Sequence, residues 1–322
     1  MKNIKNKNIV ILGPTSSGKT GMAVKLAYDF DGEIISADSR QVYRGMDIGT
    51  GKDLKEYSFE ILKSNKKQPV KISYHLIDVV NPTEVFDLAS FVKSAKSAIK
   101  DISDQGKQPI IAGGTGLYTQ ALVDDYKLSE IKPDESLRAE LEDLDASGVY
   151  ARLESINSEF AQNLNDSEKN NKRRLIRYVE IESDKINGNV WQKNVDRRKD
   201  FLLIGISCPQ AVLNERIGQR LLARIEKEGM IEEVKRLHER DGISWQRLQS
   251  FGLEYKYVSL YLQSELDYDK MLVDLAQAIR KFSKRQMTWY RRWEKQGALI
   301  HWVENYEEAK NIIVEYLENK KS

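Results

Sequence analysis

The eight residues Gly13-Pro14-Thr15-Ser16-Ser17-Gly18-Lys19-Thr20 follow the pattern G-x-x-x-x-G-K-[ST], which holds phosphate. Backbone N–H groups of such a loop point at phosphate oxygens, and the following helix N-terminus adds positive potential. Lys19 would reach a terminal phosphate and the Thr20 hydroxyl a magnesium ion, so Thr20 is the candidate metal ligand. Gly13, Thr15, Ser16, Ser17, Gly18, Lys19 and Thr20 are the candidate phosphate-binding set. The flanks agree: Ile9-Val10-Ile11-Leu12 leads in as a strand, and Met22, Leu26, Ala27 and Phe30 lead out at helical spacing. The loop by itself leaves open whether the phosphate belongs to a nucleotide.

Three more segments carry groups able to do chemistry. Asp38, within Ser36-Ala37-Asp38-Ser39-Arg40-Gln41-Val42-Tyr43, could act as general base or hold magnesium through water; capping its own turn is an equally good reading. Gly113-Gly114-Thr115-Gly116-Leu117-Tyr118 lets backbone approach a ligand closely and offers the Thr115 hydroxyl, with a plain turn as the competing account. Arg216, Arg220 and Arg224 recur every four residues opposite Leu213, Ile217 and Leu221. Such arginines clamp phosphates bidentately, or form a solvated stripe paired with Glu226, Glu228 or Glu232.

These groups need elements to position them. Strand candidates Ile9–Leu12, Glu33–Ser36, Ser73–Val79 and Pro109–Ala112 alternate with helical patterns, one of them carrying Phe91, Ala95, Ala98, Ile99 and Ile102 on a single face. This implies an α/β fold of the P-loop NTPase type: a parallel sheet flanked by helices, with ligands beyond the strands' carboxyl ends. Three such ends carry the segments above. From Leu122 to Arg198 the spacing is helical without a convincing strand, which predicts a helical insertion domain at 122–198. The core would then comprise 1–121 and 199–322, resuming with the strand Phe201–Ile206 and including a long helix around Ala276 to Arg292.

Composition narrows the class. With 322 residues, 40% apolar and 31% charged, the chain exceeds one typical domain and has ample core. One cysteine, Cys208, precludes an internal disulfide, and His75, His238 and His301 are too dispersed for a local zinc motif. The Lys/Asn-rich start precedes only four apolar residues, so neither signal peptide nor membrane anchor is expected, and the expected location is cytoplasmic. Net charge is only +2, yet Lys169–Arg177 and Arg280–Arg292 are basic without acidic dilution. The second run interleaves its arginines and lysines with Gln286, Trp289 and Tyr290, a mixture suited to nucleic acid, although either run alone reads equally as a solvated face.

Taken together, these segments resemble the tRNA dimethylallyltransferases, also called tRNA isopentenyltransferases. The resemblance rests on the phosphate loop at 13–20, the block from Asp38 to Thr50, His75-Leu76-Ile77-Asp78, Gly113–Tyr118, and Lys284-Arg285-Gln286-Met287-Thr288-Trp289. It implies transfer of a dimethylallyl group from dimethylallyl diphosphate to N6 of adenosine 37 in tRNA, with the loop cradling the donor's diphosphate and Mg2+ as cofactor. By the same resemblance Asp38 is the base, while Lys19, Thr115 and Arg220 stand by the bridging oxygen. tRNA would be read by Asp38, Ser39, Arg40 and Gln41; by Arg173, Arg174 and Arg177; and by Lys284, Arg285, Gln286 and Trp289, with Arg138 near the tunnel where donor and acceptor meet. A monomer is the simplest expectation. The chain departs from the family's pattern in Arg40, where Met is common, and in Gly252-Leu253-Glu254-Tyr255, where Gly-Tyr-Arg-Glu is usual. The region after Arg177 is also shorter than usual. A P-loop kinase of a small metabolite or nucleotide is the alternative, but it leaves the basic segments and the Asp38–Thr50 block without a purpose. A non-catalytic RNA-binding switch is the third.

Overall fold

The structure, a computed structural model, describes residues 7–63, 66–126, 134–185 and 195–318. It divides into two compact units, 1–125 with 195–322, and 126–194. In chain order the first unit begins β1 (Asn8–Leu12), α1 (Lys19–Asp29), β2 (Gly32–Ser36), β3 (Ser58–Lys63), β4 (Lys66–Lys71), β5 (Tyr74–His75), α2 (Leu88–Asp104), β6 (Gln108–Ala112) and α3 (Gly116–Val123). The second unit holds α4 (Glu135–Glu142), α5 (Ala146–Ile156), α6 (Ser158–Gln162), α7 (Asp166–Lys169) and α8 (Lys172–Lys185). The chain then returns through β7 (Phe201–Ile206), α9 (Gln210–Glu226), α10 (Met230–Glu239), α11 (Trp245–Ser250), α12 (Leu253–Leu262), α13 (Tyr268–Lys295), β8 (Ile300–Val303) and α14 (Tyr306–Glu318).

Six strands form one sheet in the order β5-β2-β6-β1-β7-β8, and every pairing is parallel. β1 is central, with Ile9 opposite both Ile110 and Leu202, and all five of its residues are buried. That is why its sequence is a continuous apolar run: a parallel strand covered on both faces has no solvent side to alternate with. Ile11, Leu26, Ile34, Ile110, Ile204 and Ile313 belong to one core around this sheet. A second core joins α9–α13 to Val42, Tyr43 and Met46, which come from the irregular segment after β2.

That segment has few ladder bonds of its own, so side chains satisfy its backbone. Lys52 is only 1% exposed; its ammonium donates to Tyr43 O at 2.7 Å and Asp47 Oδ1 at 2.6 Å, and also to Asp78. From the other side Glu233, on the buried face of α10, accepts the N–H groups of Asp47 and Ile48 at 2.8 Å and of Gly49 at 3.1 Å, plus the Tyr255 hydroxyl at 2.7 Å. A loop with two buried charges pinning it is a fixed wall.

In the second unit α5 and α8 pack around Val149, Leu153, Leu175 and Val179. Side-chain caps from Asp134, Asp145, Asn157 and Asn165 start its successive helices.

Several expectations need correction. The inserted unit spans 126–194 rather than 122–198, because Leu122 and Val123 are buried in the last turn of α3 and Arg198 folds back to pair with Asp124. The strand expected over Ser73–Val79 shrinks to Tyr74–His75, since Leu76 (φ 62) and Asp78 (φ 56) turn the chain out of extended geometry. The antiparallel β3–β4 hairpin and the edge strand β8 were not anticipated. The long helix runs further in both directions, starting where Asp267 caps the N–H of Lys270. Among the described residues no helix is long and apolar enough to cross a membrane.

Lys52→Met should destabilise the protein by about 3 kcal/mol, the low end of the range for breaking a buried pair, because Asp47 and Asp78 stay partly hydrated. A drop in urea midpoint at unchanged slope would show it; an unchanged midpoint would mean that Lys52 holds nothing.

Candidate active site

Strands β2, β6 and β1 are neighbours in that order, so the loops leaving their carboxyl ends are neighbours too. The loop after β6 lies directly on the one after β2: a Cβ on Gly113 would sit 2.2 Å from Ala37 O, so only glycine permits the approach. The N–H of Thr115 then donates to Ala37 O at 3.3 Å, and the N–H of Ser39 donates to Thr115 Oγ1 at 3.2 Å. The N–H of Arg40 donates to Asp38 Oδ1 at 2.9 Å. Asp38 thus caps its own turn, which aims the carboxylate and leaves Oδ2 without a partner among the described residues.

α13 bolts the third loop to these two. Gln286 accepts the N–H of Thr15 at 2.8 Å through Oε1 and donates through Nε2 to Gly114 O at 2.8 Å. One turn on, the Tyr290 hydroxyl donates to Gly13 O at 3.5 Å.

Between the loops and α13 lies a cavity of about 540 Å³, within the usual size for a small-molecule site. One part of its lining is polar, with Thr15, Lys19, Arg220 and Arg224, and next to them Asp38, Ser39, Arg40 and Thr115. The remainder includes an apolar patch of Leu117, Phe251, Leu253, Ile279, Phe282 and Trp289, together with Glu254, Tyr255, Arg285 and Gln286. A second cleft, bounded by Ser16, Gly18, Thr20, Asp53, Glu56 and Arg216, shares Lys19 and Arg220 with the first.

The electrostatics favour an anion here. Burial, then the nearby Arg220 charge, lowers the Lys19 pKa to about 8. Arg224 is 7% exposed on its side chain, and burial followed by Arg220 lowers its pKa as well. Burial raises the carboxyl pKa values of Glu56 and Glu254. Three cations therefore stand closer and drier than they would in water, a cost that a bound diphosphate would relieve.

The residues singled out in the sequence fall into three groups. Lys19, Thr15, Asp38, Ser39, Arg40, Thr115, Arg220, Arg285, Gln286 and Trp289 meet at the main cavity, and Ser16, Gly18 and Thr20 at the adjoining cleft. Gly13 and Ser17, both buried, line neither, and nor does Gln41; its amide accepts from Ser36 Oγ at 2.8 Å and donates to Gly51 O at 2.9 Å, so it shapes the loop. Lys284 is exposed on α13. Arg138, Arg173, Arg174 and Arg177 all lie in the second unit. There Glu180, 1% exposed, binds Arg138 Nε and Arg177 Nη1 at 2.7 Å each, Arg174 lies 3.5 Å from Glu168, and Arg173 is exposed.

Asp53, Glu56 and Glu233 are not among the candidates the sequence offers, and Glu254 enters there only as a departure from the family pattern. For Glu233 a signal existed: Met230, Glu233, Val234 and Leu237 share one helical face, which puts a carboxylate on an apolar stripe. Nothing in the local pattern marks Asp53 or Glu56.

Replacing Gln286 with Leu strands the Thr15 N–H and the Gly114 carbonyl, which should cost about 1–3 kcal/mol of stability and weaken pyrophosphate binding measured by calorimetry. Unaltered pyrophosphate affinity would show that the clamp does not shape the loop.

Residues 41–293 match the family model for IPP transferase, and residues 7–65 match that for isopentenyl transferase. The chain is 42% identical over 296 residues to tRNA dimethylallyltransferase 1 of Hahella chejuensis, covering 92% of this chain and 91% of that protein. It is 43% identical over 303 residues to tRNA dimethylallyltransferase 2 of Treponema denticola, covering 93% and 96%. Among solved structures it superposes on the tRNA isopentenylpyrophosphate transferase of Bacillus halodurans with a TM-score of 0.68 at 33% identity, over 98% of both chains. Similarity along nearly the whole length leads to one conclusion: the chain belongs to the IPP transferase family.

Proposed function

We propose that this protein transfers the dimethylallyl group of dimethylallyl diphosphate to N6 of adenosine 37 in tRNA and releases diphosphate. The observation that carries the reading is the make-up of one cavity: a cationic group of Lys19, Arg220 and Arg224, an Asp38 carboxylate oxygen without a partner among the described residues, and an apolar patch. A phosphate site opening onto apolar side chains suits a diphosphate bonded to a hydrocarbon. The family membership and the names of the relatives support it, and the kinase alternative is not favoured.

In this reading Asp38 accepts the N6 proton as the new C–N bond forms. Adenine N6 is a weak nucleophile because its lone pair is delocalised into the ring, and such help is typically worth about 10²–10⁴ in rate. As the donor's C–O bond breaks, negative charge grows on the departing oxygen. Lys19 and Arg220 stand at that end of the cavity. Thr115 Oγ1 already accepts from Ser39 N–H, so its own proton is left to donate to the leaving oxygen. Each positioned donor of this kind is worth about 2.7–4 kcal/mol in other enzymes. The apolar wall encloses the dimethylallyl group and keeps water from the electrophilic carbon.

Mg2+ fits the adjoining cleft, where the Thr20 hydroxyl stands with Glu56 and Asp53 nearby. A single protein hydroxyl plus diphosphate oxygens and water is the hard-oxygen set this ion prefers, and no group of three or more His, Cys, Asp or Glu among the described residues offers another metal site. Magnesium there would neutralise charge on the diphosphate.

The tRNA phosphates would meet Arg40, Lys284 and Arg285, and in the inserted unit Arg138, Arg173, Arg174 and Arg177. The flipped adenosine would lie by Ser39 and Trp289, with Gln41 and Gln286 shaping the loops around it. A cytoplasmic monomer acting on free tRNA completes the reading.

Asp38→Asn preserves the acceptor for Arg40 N–H but cannot take a proton. It should lower transfer by about 10²–10⁴ while tRNA affinity stays within about twofold, read from labelled donor and filter binding. Equal losses of binding and transfer would argue against a base. Lys19 supplies a pH test. Its proton is held below about pH 8 and lost above it, so pyrophosphate affinity should be full at pH 7 and fall as pH rises past 8, by at most about tenfold per unit. Lys19→Arg should flatten that fall; a fall persisting in the variant would place the titration elsewhere.

A further inference from the structure

Resting on the reading that Arg220 faces the leaving diphosphate, we propose that Asp53 is a positioning residue that holds Arg220 and Arg224 together and aims Arg220 into the cavity. The two arginines are four residues apart on α9 and lie on one face of it. Unbridged, their charges would repel; Arg220 is already among the causes that depress the Arg224 pKa. Asp53 sits between them, with Oδ2 on Arg220 Nη2 and Oδ1 on Arg224 Nη2 at 3.4 Å. One carboxylate thus serves two guanidinium groups, an oxygen each.

The backbone beneath is built for this. Gly51 has φ 65, and a Cβ there would lie 2.4 Å from Arg224 Nη2 and 2.6 Å from Arg220 Nη2. The two guanidinium groups occupy the room left by the missing side chain. Gly51 O is tied by Gln41 Nε2 at 2.9 Å, and Lys52 is anchored between Asp47 and Asp78. Asp53 itself takes the left-handed conformation, φ 45, and starts the turn Leu54–Tyr57, its carbonyl accepting Glu56 N–H at 2.8 Å. Its carboxylate is therefore delivered by a fixed backbone and is not a mobile surface charge that happens to find a partner. Both guanidinium groups line the cavity, but Arg224 is buried and Arg220 is a third exposed, so Arg220 has the more open approach to a ligand while Asp53 holds it.

The test is a double-mutant cycle of wild type, Asp53→Asn, Arg220→Ala and the double variant, with kcat and KM for dimethylallyl diphosphate and for tRNA. Asparagine keeps the left-handed backbone preference, removes the charge and leaves one acceptor oxygen where two guanidinium groups need one each. Asp53→Asn is expected to lower kcat/KM for the donor by about 10- to 100-fold, the usual effect of a misaimed group, with the tRNA KM unmoved. In the Arg220→Ala background the same change should matter by less than about twofold, because nothing is left to aim. The same factor in both backgrounds would mean a general structural role and overturn the proposal, as would no effect in the wild-type background. Full activity of Arg220→Ala alone would instead defeat the reading of Arg220, and the proposal with it. Thermal unfolding of each variant controls for folding; should the asparagine variant not fold, Asp53→Ser runs the same cycle.

Discussion

Three cations brought close together in a half-dry cleft are the constraint around which the larger unit is arranged. Lys19, Arg220 and Arg224 line one cavity, and burial, followed by the Arg220 charge, depresses the pKa values of Lys19 and Arg224. Such a cluster is costly until an anion arrives. The protein holds it by spacing carboxylates around it: Asp53 between the arginines, Glu56 beside the adjoining cleft, Glu254 in the wall. The site is thereby charged enough to take a diphosphate and compensated enough to stay folded without one.

Holding charges is useful only if the loops carrying them do not drift. Here the fixings are polar and long-range. Gln286 reaches both the phosphate loop and the loop after β6, Glu233 caps three backbone N–H groups, and Lys52 pins the same segment from the other side. All three are buried, where an unpaired group would cost far more than on the surface, so each position is strongly determined. The apolar wall against α12 and α13 follows from the same packing, because the loop's Val42, Tyr43 and Met46 are core residues of that helical layer.

The layout of the sheet and of the main motifs was legible in the sequence because both rest on local patterns. A central parallel strand must be continuously apolar, as Ile9–Leu12 is, and a phosphate loop must place glycine, lysine and threonine at fixed intervals. The hairpin was hidden because lysines dilute its alternation, and β8 because four residues carry too little period to be seen. Asp53 and Lys52 were invisible for another reason. Their roles are set by partners far away in the chain, such as Arg220 and Asp78, and a counter-ion pair across such a gap leaves no periodic mark. Gln41 and Gln286 show the converse: the resemblance marks them for RNA, while the amide of Gln286 joins two backbone segments and that of Gln41 ties Ser36 Oγ to Gly51 O, which no local pattern reveals.

The central claim is that one cavity couples a diphosphate leaving group to an adenine acceptor. The most direct measurement is incubation of the purified protein with magnesium, labelled dimethylallyl diphosphate and unmodified tRNA, followed by digestion and nucleoside analysis. The account predicts label on N6 of adenosine 37 and one diphosphate released per label incorporated. Unlabelled tRNA, together with phosphoryl transfer from ATP to some other acceptor, would contradict it.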